Sequence, residues 1–271
     1  MSENNYILEP FQIKDVHNKH EKGVFSDFHH MIDLRISALE HTENKEKLLF
    51  VSFLKNLKEN FDNEQYASIQ REFLPEAKAQ MYGNMMKYLD SIRWFESKMD
   101  LISKLNLHDS DQMNILDIGT GTGHFLALAN FFGHSVKGAN LSRDELRGRL
   151  QAEGRMEPID KERHLYAALC DFFNIETYEL MVRPNTSIDT IPEKFDLVTA
   201  LMTEFNHIDG KPWGNDLWDF FLEDLKKSCL KPNGSIFLGL TNGKLSEESW
   251  GHLKSKATWF DEDKKYIFIQ E

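Results

Sequence analysis

The chain has 271 residues, 41% hydrophobic and 28% charged, with 44 acidic against 32 basic side chains and a formal net charge of −12. A chain this long buries a sizeable core without disulfide or metal staples, and its composition is globular rather than disordered. The acidity disfavours nucleic acid as the main partner, because tight binding there needs clustered Lys and Arg to displace counterions.

Length alone admits one or two domains. Two cysteines, Cys170 and Cys229, make no disulfide framework. The N-terminus lacks a basic region followed by an apolar run. The longest apolar stretch, residues 48–54 (LLFVSFL), is far short of the about 20 residues that span a bilayer. The expectation is a cytoplasmic protein with no membrane segment.

In chain order, the first 110 residues read as helix. Residues 45–61 place Phe50, Phe53, Leu54, Leu57 and Phe61 at three- and four-residue spacings, and residues 76–105 do the same with Met81, Met85, Tyr88, Ile92, Phe95, Met99 and Ile102. Pro75 stands where a helix can begin. His17, His20, His29 and His30 form a loose group whose spacing fits no zinc pattern, so no metal is expected.

After residue 110 the pattern alternates. Residues 115–118 are a short apolar run entering a glycine cluster, and residues 125–132 read as helix. Strand candidates follow at 135–141 (SVKGANL), 164–170 (HLYAALC), 195–201 (FDLVTAL) and 235–240 (SIFLGL), with a closing pair at 257–260 and 265–270. The third of these also carries helical spacing, in which case the strand moves to 178–182. The earlier position is preferred because it leaves room for one helix at 143–154 and puts Asp171 at a strand's carboxyl end, where open sheets bind ligands. The expected fold is therefore α/β: a doubly wound, mostly parallel, Rossmann-like sheet with a C-terminal antiparallel hairpin, preceded by an all-helical region. The expected division is 1–110 and 111–271.

The most informative stretch is 114–125, NILDIGTGTGHF. A strand delivers Asp117, Gly119, Gly121 and Gly123 alternate, and a helix follows. Glycines allow positive φ and close ligand approach, and a helix N-terminus offers free N–H groups. The spacing is G-x-G-x-G. The dinucleotide fingerprint G-x-G-x-x-G would need glycine at position 124, which is His124. This stretch resembles motif I of class I S-adenosylmethionine-dependent methyltransferases. The resemblance continues in Phe195–Asp196–Leu197–Val198 and in LKPNG at 230–234, where Asn233 replaces a glycine in a turn that Asn tolerates. It covers about residues 112–271.

The resemblance implies the cofactor S-adenosyl-L-methionine, with Asp117, Gly119, Thr120, Gly121 and Gly123 around the methionine moiety. It places Asn140 where the family has a ribose-binding acid, a departure that forfeits charge-assisted strength. Leu141, Asp171 and Phe172 fall beside the adenine. Leu201 opens the segment LMTEFNHID, where the family transfers the methyl group. Glu204 and His207 are candidate catalytic bases there, balanced against a capping or surface role. Trp213, between Pro212 and Gly214, is a candidate pocket residue. Arg93 is a candidate partner for the cofactor carboxylate, set against a surface role.

The expected reaction is methyl transfer to O or N of a small-molecule acceptor. Two alternatives stay open: a nicotinamide-dependent oxidoreductase, with Arg143 near a 2′-phosphate, and a non-catalytic binding module. The N-terminal helices have two readings, a lid or a homodimer surface.

Overall fold

The computed structural model describes residues 28–78, 91–142, 144–146, 164–201, 207–208, 211–240 and 245–270, and every structural statement below concerns these. Three N-terminal helices come first: α1 (Phe28–Leu39), α2 (Lys45–Asn60) and α3 (Asn63–Lys78). Helix α2 is capped by Asn44, whose side chain accepts from the Lys47 N–H. Helix α4 (Ser91–Lys104) leads into strand β1 (Asn114–Ile118), followed by α5 (His124–Phe131) and β2 (Ser135–Asn140). Then come α6 (Leu165–Phe172), β3 (Thr177–Glu179), β4 (Phe195–Leu201), and the two-residue strands β5 (His207–Ile208) and β6 (Lys211–Pro212). Helix α7 (Asn215–Ser228), β7 (Leu230–Gly239), α8 (Glu247–Lys256), β8 (Trp259–Asp261) and β9 (Tyr266–Gln270) complete the chain.

Seven strands form one sheet in the order β3-β2-β1-β4-β7-β9-β8. The first five are parallel to their neighbours, and β9 runs antiparallel to both β7 and β8. The mostly parallel sheet with an antiparallel closing hairpin is as the sequence predicts. The chain winds outward from β1 to β3, then returns to β4 on the other side of β1. The strand order reverses between β1 and β4, so their carboxyl ends open a crevice of the kind in which such sheets bind ligands.

Alternation along the strands sorts residues onto two faces. Ile115, Leu197 and Phe237 face a core shared with α1–α6, while Leu116, Ile118, Val198 and Ala200 face one shared with α7 and α8. The N-terminal helices therefore pack into the same core as one face of the sheet. Helix α4 is tied on both sides, by an Arg35–Glu96 ion pair to α1 and by Lys104–Asp261 (3.1 Å) and Lys264–Asp100 (2.5 Å) to the closing hairpin. The LKPNG segment bulges within β7: the register jumps from Phe195↔Leu230 to Leu197↔Ser235, and Asn233 takes φ 63°.

Two expectations need correction. Residues 164–170 are not a strand. His164 caps a helix by accepting from the Ala167 N–H, and Leu165, Ala168, Leu169 and Cys170 bury one face of it. Asn174, at φ 56°, ends it, with the Ile175 N–H donating back to the Cys170 carbonyl. The third strand is Thr177–Glu179, so the stretch from it to β4 is shorter than a strand ending at Asp171 implies. Pro75 also lies inside α3 rather than at a helix start.

Candidate cofactor site

The turn after β1 is built by left-handed geometry: Gly119, Gly121 and Gly123 have φ of 70°, 58° and 76°. At Gly123 a Cβ would also stand 3.3 Å from both the Cys170 Sγ and an Ile175 methylene, so glycine is required twice over. The Gly119 and Thr120 N–H groups donate to the Ala139 carbonyl at 2.7 and 3.2 Å, binding the turn to β2. A Cβ on Gly138 would meet the Thr120 methyl at 2.6 Å. Gly138→Ala is expected to push Thr120 off β2, lowering the thermal midpoint and weakening cofactor binding together; an unchanged midpoint by calorimetry would count against this contact.

Asp117 sits on the β1 face turned toward α4 and is 2% exposed. The Thr199 hydroxyl on β4 donates to it at 2.6 Å. Burial pushes its carboxyl up to about 6, against the pull of the Thr199 and Thr120 hydroxyls and of the Lys98 ammonium. Burial likewise lowers Lys98, which Asp117 holds partly up. Lys98 is half-buried on α4, and neither charge is fully neutralised by the other.

His124, the first residue of α5, is 3% exposed and links two parts of the chain. One ring nitrogen meets the Thr122 hydroxyl at 2.5 Å and the other the Ser91 hydroxyl at 2.9 Å. Ser91 in turn meets the Tyr66 hydroxyl at 2.7 Å. A buried polar chain thus runs from α3 through α4 to the glycine turn. Burial, assisted by Lys98, lowers His124 to about 3, so the ring stays neutral at working pH.

Cys170 lies beneath the turn and donates to the Gly121 carbonyl at 3.3 Å. Burial first, then Asp171 and Asp117, pushes its thiol up to about 12, which rules out thiolate chemistry at neutral pH. The Asn140 side chain turns to Gly121, accepting from its N–H at 2.9 Å and donating to its carbonyl at 3.1 Å. Leu141 is half-buried just beyond. His164, lowered by burial, is held against that effect by the Leu141 carbonyl.

The structure therefore gathers Asp117, Gly119, Thr120, Gly121, Gly123 and Asn140 at the carboxyl ends of β1 and β2. Asp171 does not end a strand. It is exposed on helix α6, because the residues around it bury the other face. Phe172 packs edge-on and tilted against Phe61 and Tyr66 of the N-terminal region, at 4.9 and 5.3 Å between centroids. The residue at the end of β3 is Glu179, exposed and in register with Asn140. Leu201 ends β4, where a Cδ lies 3.4 Å from the position of a Cβ on Gly239. Glu204 lies outside the described residues. The backbone of His207 pairs with Pro212 in the small β5–β6 ladder.

Trp213, the candidate pocket residue, is buried in the core shared with α7 and α8. It is 2% exposed, edge-on to Trp218 and Phe221, with its carbonyl accepting from the Ser249 hydroxyl. Lys98, Thr199 and Cys170 escape motif reading, since none belongs to a recognisable spacing, and His124 enters it only as the position that excludes a dinucleotide fingerprint. Lys98 at least sits on an amphipathic helix entering β1. Among the described residues no group of three or more His, Cys, Asp or Glu is placed to hold a metal, and no helix is long and apolar enough to cross a membrane.

The residues present fit S-adenosylmethionine. Among the described residues beyond its chain neighbours, none stands within 4 Å of where a Cβ on Gly121 would project, and a buried carboxylate and a half-buried ammonium lie next to the turn. A sheet of this order with a glycine turn leaving β1 defines a Rossmann-like fold with its ligand crevice at the β1–β4 reversal. The family model for a methyltransferase domain matches residues 92–268, a match that takes in helix α4, and the chain belongs to the class I S-adenosylmethionine-dependent methyltransferases.

Solved structures similar to it include a ribosomal protein L11 methylase from Lactobacillus delbrueckii subsp. bulgaricus, at 16% identity over 62% of this chain and 75% of that one, with TM-score 0.37. An amino pentose methyltransferase from Micromonospora echinaspora shows 20% identity over 55% of this chain and 51% of its own, with TM-score 0.36. A glycopeptide N-methyltransferase in complex with S-adenosylhomocysteine shows 16% identity over 51% and 50%, with TM-score 0.31. The chain spans about half the length of the latter two. No curated protein matches it.

Proposed function

We propose that this methyltransferase acts in the cytoplasm on an oxygen or nitrogen of a small-molecule acceptor, with S-adenosylmethionine held on the turn between β1 and α5. When bound, the cofactor supplies a methyl group activated by a sulfonium. The observation that carries the reading is the buried Asp117 carboxylate beneath a turn of three left-handed glycines.

In this reading Asp117 organises the turn, and the backbone of Gly119, Thr120, Gly121 and Gly123 receives the methionine part. Lys98 faces its carboxylate, since a half-buried ammonium beside the turn is the charge such a group needs. Leu141 packs on the adenine. Asp171 and Phe172 have lost the strand-end argument for adenine contact, and Glu179 takes that place in the fold. Leu201 opens onto the acceptor. Glu204 and His207 remain the candidate bases for an acceptor that must lose a proton. The net charge of −12 favours a small acceptor over nucleic acid. The burial of both free cysteines accords with a reducing compartment.

Lys98→Met is expected to weaken S-adenosylhomocysteine binding on the order of tenfold while sparing adenosine, because only the former carries the carboxylate. Equal losses for both ligands in calorimetry would remove Lys98 from that role. Incubation with donor labelled in its methyl group and a fractionated cell extract tests the acceptor class. Label is expected in the low-molecular-weight fraction, and label confined to acid-precipitated macromolecules would overturn it.

A further inference from the structure

The environment of Asn140 points away from the ribose contact that its strand-end position implies. Its side-chain oxygen accepts from the Gly121 N–H at 2.9 Å and its nitrogen donates to the carbonyl of the same residue at 3.1 Å. The Cys170 thiol donates to that carbonyl as well, at 3.3 Å, and the Asn140 nitrogen lies 3.9 Å from the sulfur. Both backbone polar groups of the central glycine are therefore satisfied by side chains from two other elements, β2 and α6. Gly121 is left-handed, and no described residue beyond its chain neighbours packs against its outer side.

An amide matches this pattern where a carboxylate does not. It offers an acceptor and a donor side by side. A carboxylate would accept from the N–H but turn its second oxygen toward the carbonyl oxygen, two acceptors with no proton between them. Cys170 cannot relieve this, since its thiol has one proton and already donates it to the Gly121 carbonyl. The other titratable groups around Asn140 are Glu179, its register partner on β3, and His164, which caps α6 against the Leu141 carbonyl.

We propose that Asn140 is a positioning residue that acts through Gly121, holding the turn in its cofactor-receiving shape, and that an amide rather than an acid stands here because both Gly121 groups need a partner. Asparagine at this position is then the residue suited to this turn and not a weakened ribose ligand.

Two variants of the full chain test this against S-adenosylhomocysteine by calorimetry, with circular dichroism to show that each is folded. Asn140→Asp is expected to bind on the order of tenfold more weakly than wild type at pH 8. The deficit relative to wild type should close as the pH falls toward 5, where the protonated carboxyl regains a donor for the Gly121 carbonyl. Binding as tight as wild type, or tighter, at pH 8 would overturn the proposal. Asn140→Ala, which stands even if the aspartate variant does not fold, is measured with S-adenosylhomocysteine and with its 2′,3′-dideoxy analogue. A residue acting through the turn weakens both ligands by the same factor. A deficit that vanishes with the dideoxy ligand would make Asn140 a ribose contact after all.

Discussion

Replacing Asp117 with asparagine is expected to raise the thermal midpoint of the ligand-free protein at pH 8 while weakening S-adenosylhomocysteine binding on the order of tenfold or more. The two effects have one origin. Burial raises the Asp117 carboxyl from 3.8 to about 6, so the native state binds this proton more tightly than the unfolded chain does. Stability therefore falls as pH rises from roughly 4 to 6 and stays lower above that, by about 3 kcal/mol for a shift of this size. Asparagine removes this cost and still accepts from Thr199. It loses the charge that faces Lys98 and organises the turn, which is why binding suffers. Calorimetric unfolding at pH 5 and pH 8 checks the sign: the variant's advantage should be about twice as large at pH 8 as at pH 5. A variant less stable than wild type at pH 8 would mean that the Lys98 attraction outweighs desolvation.

The second large effect is expected at His124. His124→Leu keeps an apolar body between Phe95 and Phe173 but leaves the Ser91 and Thr122 hydroxyls buried without this partner. Stranding buried hydroxyls costs about 1–3 kcal/mol each, so denaturant unfolding should show a loss on the order of 3 kcal/mol. Tyr66→Phe removes only the far end of the chain and should cost about 1 kcal/mol. Because Thr122 belongs to the glycine turn, His124→Leu should also weaken cofactor binding.

The acid response separates the two sites further. His124 is lowered to about 3, so the unfolded chain takes up its proton first and stability is lost as pH falls from about 6.5 toward 3. Asp117 acts in the opposite direction between 6 and 4. Removing His124 should therefore leave a protein whose stability rises on mild acidification. Coincident pH profiles for wild type and variant would contradict this.

Much of the architecture is legible in the text because its signals are local. An apolar run ending in Asp117 and three alternating glycines can only be a strand entering a tight turn. Phe195–Val198 and the final pair around residues 261–263 are similarly self-contained. Asn233 was readable as a left-handed position because few other residues tolerate that geometry. The third strand was readable only as the less favoured alternative, in which helical spacing after His164 moves it to 178–182, close to the observed Thr177–Glu179. Leu165–Phe172 has the apolar density of a buried strand, and the true strand, Thr177–Glu179, has three residues and no apolar run. What decides between them is the cap at His164 and the left-handed Asn174, signals carried by single residues. That error moved the expected adenine contact to Asp171 and away from Glu179.

The missing parts of the site share a different cause. Lys98 acts on Asp117 through its charge, and Ser91 joins Tyr66 to His124, across sequence gaps that only packing closes. No spacing rule links residue 66 to residue 124. The same packing places α1–α3 in the core shared with α5 and α6, so the N-terminal helices reach the cofactor turn through buried hydroxyls.

The central claim is that the turn at residues 119–123 holds S-adenosylmethionine over Asp117. Titration calorimetry of S-adenosylhomocysteine into the wild-type chain and into Asp117→Ala tests it most directly. Saturable one-to-one binding to wild type, lost or severely weakened in the variant, is the predicted result. Equal affinities in both proteins, or no heat of binding to wild type at high ligand concentration, would contradict it.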